Sequence, residues 1–158
     1  MSNQNPEQQA RDNIDKQLIA CGWIIQNKSN INLSVGVGVA VREYSTEVGP
    51  ADYVLFVNKE PVGILEAKRE EEAVKFSVHE QQVEDYATAK LKYIDKKPLP
   101  FLYLSTGAIT RFTDTRDPNP RYREVFTFHR PETLAKWIRK DKSLRTRMSE
   151  NFPALDIT

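Results

Sequence analysis

Several features that define other protein classes are missing or scarce in this chain of 158 residues. Its single cysteine, Cys21, cannot form an internal disulfide or a cysteine metal site, and its place on an apolar helix stripe predicts a small core residue. No apolar run approaches the length of a bilayer span, and the first residues lack the basic and apolar regions of a secretory signal. We therefore expect a cytoplasmic protein that does not enter a membrane.

Histidines are also few, and nucleotide-binding loops are missing. The two histidines, His79 and His129, are isolated from each other and from any acid cluster, so we assign neither a catalytic role. The chain has no Gly-Lys-Ser/Thr loop of the kind that cradles nucleotide phosphates. These residues therefore contain no ATP-driven motor.

The chain is nearly neutral, with a net charge of +1, but its charges are unevenly distributed. Residues 1–93 carry 10 Lys/Arg and 14 Asp/Glu, whereas residues 94–150 carry 13 and 7. The second part suits a polyanion, and we predict that its arginines Arg116, Arg121 and Arg123 lie on the surface. So small an overall charge nevertheless predicts weak non-specific affinity for DNA, because that affinity comes mainly from phosphate neutralisation. We expect that the domain does not hold DNA alone.

A predicted β-hairpin is the most informative segment. Two short apolar strands, 52–57 and 62–68, flank a polar turn. Because side chains alternate along a strand, Glu66 and Lys68 share one face of the second strand with Val62. The acid and the lysine are therefore predicted to lie side by side.

The register of this hairpin decides whether a second acid joins them. A two-residue turn at 59–60 would pair Tyr53 with Glu66, whereas a three-residue turn at 58–60 would pair Asp52 with Glu66. Both faces of the hairpin are apolar, so the second register loses no burial. We predict the second register.

Two neighbouring carboxylates repel each other unless a cation lies between them. Hard oxygen ligands suit magnesium, which keeps several waters and completes its shell with substrate phosphate. Asp52, Glu66 and Lys68 would then form a phosphodiester-cleaving centre, in which the metal or the lysine activates or orients a water. The alternative is that these residues have no catalytic role. Asp52 would then be an ordinary turn residue, and Glu66 and Lys68 would be a solvated pair of a kind that is common by chance.

The rest of the chain predicts a mixed α/β fold. A central sheet covered on both faces forms one domain over 1–150, followed by a short tail at 151–158. Residues 23–33 are interpreted as a connector, and the small face made by Gly36 and Gly38 predicts that the first helix, or a neighbouring helix, packs closely against it. The predicted elements are a helix at 6–22, a strand at 35–42, the hairpin, a helix at 74–93, strands at 101–104, 109–113 and 125–128, and a helix at 131–140.

The order of elements, together with Asp52, Glu66 and Lys68, resembles the PD-(D/E)xK (restriction-endonuclease-like) nuclease superfamily. In that superfamily a core of helix, three strands, helix and a further strand presents such a triad. One departure is that Pro50 lies two residues before Asp52 rather than next to it. Of the residues in the motif, the proline has the smallest role in the chemistry, so the resemblance stands without it.

Short segments of the sequence identify a narrower family within this superfamily that the chain resembles. Ala-Asp-Tyr-Val-Leu-Phe-Val at 51–57 and Gly-Ile-Leu-Glu-Ala-Lys at 63–68, preceded by Arg-Glu-Tyr at 42–44 and Gly-Trp at 22–23, look like the amino-terminal domain of the HsdR (restriction) subunit of type I restriction-modification enzymes. Gln82 and Tyr86 also fit the Gln-xxx-Tyr pattern of the RecB-like branch. Without the resemblance, these two residues would be interpreted as polar groups flanking the core.

The resemblance implies roles for individual residues. Asp52 and Glu66 would bind Mg²⁺ together with the carbonyl of Ala67, and Lys68 would position or deprotonate the hydrolytic water. Two further residues, Gln82 and Tyr86, would support the centre and contact DNA. Glu7 on the first helix is a weaker candidate near the metal, since a Glu in the first turn of a helix is also favoured by the helix dipole.

The resemblance also implies an activity and partners. The chain would be the endonuclease domain of a type I site-specific deoxyribonuclease, cutting double-stranded DNA at non-specific sites after translocation by an ATP-driven motor outside this chain. The tail at 151–158 would be a linker toward that motor, and methyltransferase (M) and specificity (S) subunits would be the partners. Two alternatives remain open at this point: a free-standing RecB-like repair nuclease, and a non-catalytic docking or DNA-binding module with the same fold.

Overall fold

The computed structural model describes residues 6–46, 49–68, 99–118 and 120–140. Their helices and strands are α1 (Pro6–Ala20), β1 (Ile24–Asn27), a short 3₁₀ turn (Leu33–Val35), β2 (Gly38–Thr46), β3 (Gly49–Val57), β4 (Glu60–Ala67), β5 (Phe101–Ser105), β6 (Thr110–Asp114), β7 (Arg123–Val125) and α2 (Pro131–Ile138). The predicted helix at 74–93 and the tail at 151–158 lie outside the described residues. No helix in the described part of the chain is long and apolar enough to cross a membrane.

The seven strands form one mixed sheet in sequence order, β1 to β7. The pairs β1–β2 and β4–β5 are parallel, and the other neighbours are antiparallel. The predicted α/β class is therefore confirmed. The interpretation of 23–33 as a connector was wrong in part, because residues 24–27 form the edge strand β1 beside β2. Strand β1 has only four residues and its burial does not alternate, so its sequence could not predict a strand without knowledge that β2 lies next to it.

Apolar residues on opposite faces of the sheet form two buried clusters. Helices α1 and α2 contribute Ile14, Leu18, Leu134 and Ala135 to the first cluster, which contains Tyr53, Leu55, Leu65, Phe101 and Tyr103 from the strands. The second cluster contains Val39, Val41, Val54, Phe56, Ile64, Leu102 and Leu104. This alternation follows the two-residue period of a strand, and each fully buried large side chain contributes about 1.5–3 kcal/mol of transfer free energy.

The helix that packs over the glycine face of β2 is α2. A Cβ added at Gly38 would lie 2.2 Å from Cγ of Pro131 and 2.9 Å from Cε3 of Trp23. The predicted close packing against this glycine is therefore confirmed, with the first residue of α2 as the partner. Cys21 is buried in the same cluster, as its helical spacing predicts.

The turn of the β3–β4 hairpin differs from the prediction, although the register does not. Asn58 and Lys59 have φ angles of 50° and 72° and form a two-residue turn between Val57 and Glu60. The three-residue turn was therefore wrong. A shift between Leu55 and Phe56 then adds one residue to β4, so Val54 pairs with Ile64 as predicted.

The extra residue in this bulge changes the face of Val62. It packs with Leu65 in the helix-covered cluster, while Ile64 lies in the other cluster. The prediction that Val62 shares a face with Glu66 was therefore wrong, because the alternation is interrupted at the bulge. Gly63 lies next to this position, and a Cβ there would lie 2.5 Å from the carbonyl oxygen of Phe101.

The sequence predicted a surface position for Arg116. This prediction was wrong, because Arg116 joins a loop to α2. Its Nε and Nη2 donate to the two carboxylate oxygens of Asp114 at 3.0 and 2.9 Å. Its Nη1 donates to the carbonyl oxygens of Trp137 and Lys140 at 3.1 and 2.7 Å, which pairs carbonyls at the end of the helix. Arg121 and Arg123 are exposed, as predicted.

Candidate active site

Strands β3 and β4 bring the predicted acids to the same end of the hairpin. Tyr53 pairs with Leu65. Because the strands are antiparallel, one further step of this register places Asp52 opposite Glu66. Lys68 follows directly after β4, and its backbone N–H donates to the carbonyl oxygen of Ser105 at 2.8 Å. This hydrogen bond fixes the chain at the point from which the lysine side chain leaves the sheet.

Both carboxylate oxygens of Asp52 accept hydrogen bonds. Oδ2 accepts from the backbone N–H of Ala67 at 2.8 Å, and Oδ1 accepts from Nη2 of Arg11 at 2.5 Å. The side chain of Asp52 is 15% exposed, and that of Arg11 is 34% exposed. Arg11 also pairs with Glu43 on β2 through Nη1, at 3.3 Å. The aspartate is therefore held from one side by the end of β4 and from the other by α1.

Glu66 is buried, with 3% of its surface exposed. Burial raises the pKa of Glu66 to about 9, and the negative charge of Asp52 and a hydrogen bond between the two carboxyl groups act in the same direction. The positive charge of Lys68 acts in the opposite direction on the same pKa. The predicted proximity of Asp52, Glu66 and Lys68 is therefore present in the fold.

The donor set of this pocket fits a small divalent cation. Oε1 of Glu66 is buried and has no hydrogen-bond partner among the described residues, which is costly for a carboxyl oxygen unless another group supplies the missing partner. A hard cation would satisfy this oxygen and remove the repulsion between Glu66 and Asp52. In the described part of the chain, no group of three or more His, Cys, Asp and Glu side chains could hold a metal. The two carboxylates would therefore need a backbone carbonyl, water or substrate to complete the shell.

Sequence reasoning missed a second set of polar residues beside the pair. Asp15 on α1 accepts a hydrogen bond of 2.6 Å from Oη of Tyr53 and forms an ion pair with Arg42 of β2. Burial raises the pKa of Tyr53, and the hydrogen bond to Asp15 adds to the effect, so the phenol stays a neutral donor. Arg11 and Asp15 are four residues apart on α1, a spacing that places them on one helix face. That spacing indicates a shared helix face, but it does not indicate which strand residues the face contacts.

These residues line a polar cleft of about 350 Å³ next to Asp52. Its walls come from α1, the segment after β1, and the facing parts of β2 and β3. The charged lining residues are Arg11, Lys28, Arg42, Asp12, Asp15, Glu43 and Asp52. Acidic side chains outnumber basic ones in the cleft, so the cleft attracts cations more than anions unless a metal reverses the balance.

Three of the predicted site residues cannot be placed. Gln82 and Tyr86 lie outside the described residues. Glu7 lies in the first turn of α1, but its side chain is also outside the described part of the structure. Their roles stay predictions.

Comparisons with known proteins agree with the resemblance noted in the sequence. A family model described as "Type I restriction enzyme EcoKI endonuclease subunit second domain" matches residues 25–106, which is more than half of the chain. The chain is 26% identical to the type I restriction enzyme EcoKI endonuclease subunit of Escherichia coli strain K12, in an alignment that covers 94% of this chain and 17% of that protein.

A solved structure has the same fold. A fragment described as an HsdR subunit of a type I restriction enzyme from Vibrio vulnificus YJ016 superposes with a TM-score of 0.58, at 21% identity, over 84% of this chain and 25% of that chain. The chain thus spans only a minor part of the length of either relative. Because the family model matches more than half of its residues, this chain belongs to the family of the type I restriction enzyme EcoKI endonuclease subunit second domain.

Proposed function

We propose that this chain is a magnesium-dependent nuclease domain that hydrolyses phosphodiester bonds of double-stranded DNA, with a PD-(D/E)xK centre made by Asp52, Glu66 and Lys68. The observation that carries the proposal is the buried oxygen of Glu66, which lacks a partner in the part of the chain that the structure describes and lies next to Asp52 and within electrostatic reach of Lys68. Membership of an endonuclease-subunit family agrees with this chemistry.

Each residue of the centre has a part in the proposed reaction. Asp52 and Glu66, with the carbonyl of Ala67, hold the cation, which supplies positive charge against the developing charge on the phosphate. Lys68 lies beside Glu66 and orients or deprotonates the attacking water. Gln82, Tyr86 and Glu7 support the centre or the DNA, as the resemblance implies.

The proposed domain works within a larger assembly. The curated relative is much longer than this chain, which covers 17% of it. An ATP-driven motor in the remainder would deliver DNA by translocation, and the methyltransferase and specificity subunits would supply sequence recognition. Cleavage would then occur at non-specific sequence. The small net charge of the chain agrees with delivery of the DNA by other parts of the assembly.

Plasmid linearisation by the assembled restriction enzyme tests the proposal. Glu66→Gln, Asp52→Asn and Lys68→Ala should each reduce Mg²⁺-dependent cutting at least about a hundredfold, because they remove a ligand or the water-activating group. ATP hydrolysis by the same complexes should persist. Glu60→Gln is the matched control, since Glu60 is an exposed acid at the far end of the same hairpin strand.

The result that would reject the proposal is undiminished cutting by Glu66→Gln and Asp52→Asn. A non-catalytic module with this fold would give that result, with the acids serving only the structure. Loss of cutting together with loss of ATP hydrolysis would instead indicate a general failure of assembly, which the Glu60→Gln control and a folding measurement detect.

A further inference from the structure

Arg11 holds a position relative to the carboxylate pair that the proposed reaction does not use. It leaves α1 and places its guanidinium between two strands, with Nη2 on Asp52 and Nη1 on Glu43. The pair with Asp52 is short, at 2.5 Å, and is partly buried. Charged groups in such surroundings interact more strongly than exposed ion pairs do.

The helix that carries Arg11 is fixed in place next to the sheet. Ile14 and Leu18 are fully buried in the core. A Cβ added at Gly107 would lie 2.9 Å from Cβ of Asn13, and Gln17 donates to the carbonyl oxygen of Gly107. Arg11 therefore reaches Asp52 from a rigid base, so a change in its pairing can come from its side chain alone.

The sheet explains why a positive charge is needed here. Arg42 pairs with Tyr53 and Tyr44 pairs with Ala51 across β2 and β3, so the residue between them, Glu43, has Asp52 as its register neighbour. Three acids therefore follow one another across β2, β3 and β4: Glu43, Asp52 and Glu66. Neighbouring carboxylates repel each other, and a cation among them removes the repulsion.

We propose that Arg11 is the resident counter-ion of this acidic row and that a divalent cation must displace it from Oδ1 of Asp52. The proposal rests on the proposed metal site. Arg11 and the metal then compete for the same oxygen. The ion pair with Arg11 stabilises the metal-free domain and lowers the affinity of the domain for the metal. Glu43 retains the guanidinium through Nη1 after the displacement, which keeps Arg11 beside the metal.

Calorimetric titration of the 158-residue chain with MgCl₂, at fixed pH and ionic strength, tests the competition. Arg11→Met should bind Mg²⁺ about fivefold more tightly than the wild type. In the wild type, an ion pair of ordinary strength lowers by this factor the fraction of molecules in which Asp52 is free to bind the metal. In the absence of metal its melting temperature should fall, and added Mg²⁺ should raise that temperature by more than in the wild type.

Arg42→Met is the matched control. Arg42 lines the same cleft but pairs with Asp15 rather than with Asp52. Its replacement removes the same charge from the same cleft, so it reports the general electrostatic effect on Mg²⁺ affinity, which should be less than about twofold at physiological ionic strength. Arg11→Lys keeps the charge without the two-pronged geometry and should give an intermediate affinity.

The outcomes separate this inference from the proposed function. If Asp52→Asn abolishes Mg²⁺ binding but Arg11→Met leaves the affinity unchanged or weaker, the metal site stands and the competition is wrong. Equal tightening by Arg11→Met and Arg42→Met would also overturn the competition, because the effect would then be general. If neither the wild type nor Arg11→Met binds Mg²⁺, the metal site and the inference fail together.

Discussion

Oδ2 of Asp52 accepts a hydrogen bond of 2.8 Å from the backbone N–H of Ala67. This bond joins the beginning of β3 to the end of β4 and places the aspartate against the residue that follows Glu66. The carboxylate therefore has a structural task in addition to its proposed role as a metal ligand.

Two substitutions of Asp52 should separate these tasks. Asp52→Asn keeps an oxygen that can accept from Ala67, whereas Asp52→Ala leaves this N–H without its partner. We expect Asp52→Ala to be less stable than Asp52→Asn by about 1–2 kcal/mol, the usual cost of an unsatisfied buried donor. Urea denaturation measures the difference. Equal stability of the two variants would show that the hydrogen bond to Ala67 contributes nothing.

Arg116 should be far more important for stability than the other arginines of its region. Its side chain is 16% exposed and pairs with buried Asp114. Arg116→Met leaves this carboxylate without its counter-charge and also removes a donor from the end of α2. We expect a loss of about 2–4 kcal/mol in the free energy of unfolding. Arg121→Met, at an exposed position, should change it by less than about 0.5 kcal/mol. A small loss for Arg116→Met in denaturant unfolding would contradict the structural role.

His129 should make the stability depend on pH in the mildly acidic range. Burial lowers the pKa of His129 below the ordinary histidine value of 6.5, and its Nδ1 lies 2.6 Å from Oη of Tyr103. The unfolded chain therefore takes up a proton at a higher pH than the folded one. The contribution of neutral His129 is complete above pH 6.5 and is lost as the pH falls from 6.5 through the folded pKa.

Unfolding by urea between pH 7.5 and 5.5 measures this dependence. His129→Asn should lower stability at neutral pH, because it removes the contact with Tyr103, and should flatten the slope of stability against pH. An unchanged slope in the variant would show that another group causes the acid sensitivity.

Much of the fold was predictable because its strongest signals are local. The spacing of Ala10, Ile14 and Leu18 predicts one helix face, and all three residues are buried. The class of sheet and the closing helix at Pro131 follow from similarly local patterns. Two of the predictions that were wrong, the connector at 23–33 and the surface position of Arg116, depended on contacts between distant segments. Arg116 resembles a surface arginine in the sequence, since neither the end of α2 nor the ring of Phe101, 5.2 Å from its guanidinium, is local to it.

The site also contains features that the sequence predicted and features that it did not. The pairing of Asp52 with Glu66 was predictable from the hairpin, since the chemistry favoured one register. Arg11 was not identified, because only the packing of α1 against the sheet brings it to Asp52. The bulge was also missed. A two-residue turn with an added residue and a three-residue turn give the same pairing beyond the turn, so the register prediction was right while its geometric reason was wrong.

The bulge at Val62 leads to the last prediction, which concerns the register itself. The turn at Asn58 and Lys59 pairs Val57 with Glu60. If Val62 were paired instead of bulged, this register would continue along the whole hairpin. Asp52 would then face Leu65, and Glu66 would point to the opposite face of the sheet. With Val62 in the chain and this two-residue turn, Asp52 faces Glu66 only because the bulge leaves Val62 unpaired.

Deletion of Val62 should keep Asp52 opposite Glu66, because Gly63 then follows Pro61 and pairs with Leu55 without a bulge, and the variant should still bind Mg²⁺. Val62→Ala is the matched control, because it removes buried apolar atoms without changing the number of residues. This variant should lose about 1–3 kcal/mol of stability through its smaller side chain and still bind Mg²⁺. If the deletion variant loses its Mg²⁺ affinity in titration calorimetry while Val62→Ala keeps it, the hairpin does not hold Asp52 opposite Glu66 once the bulge is removed.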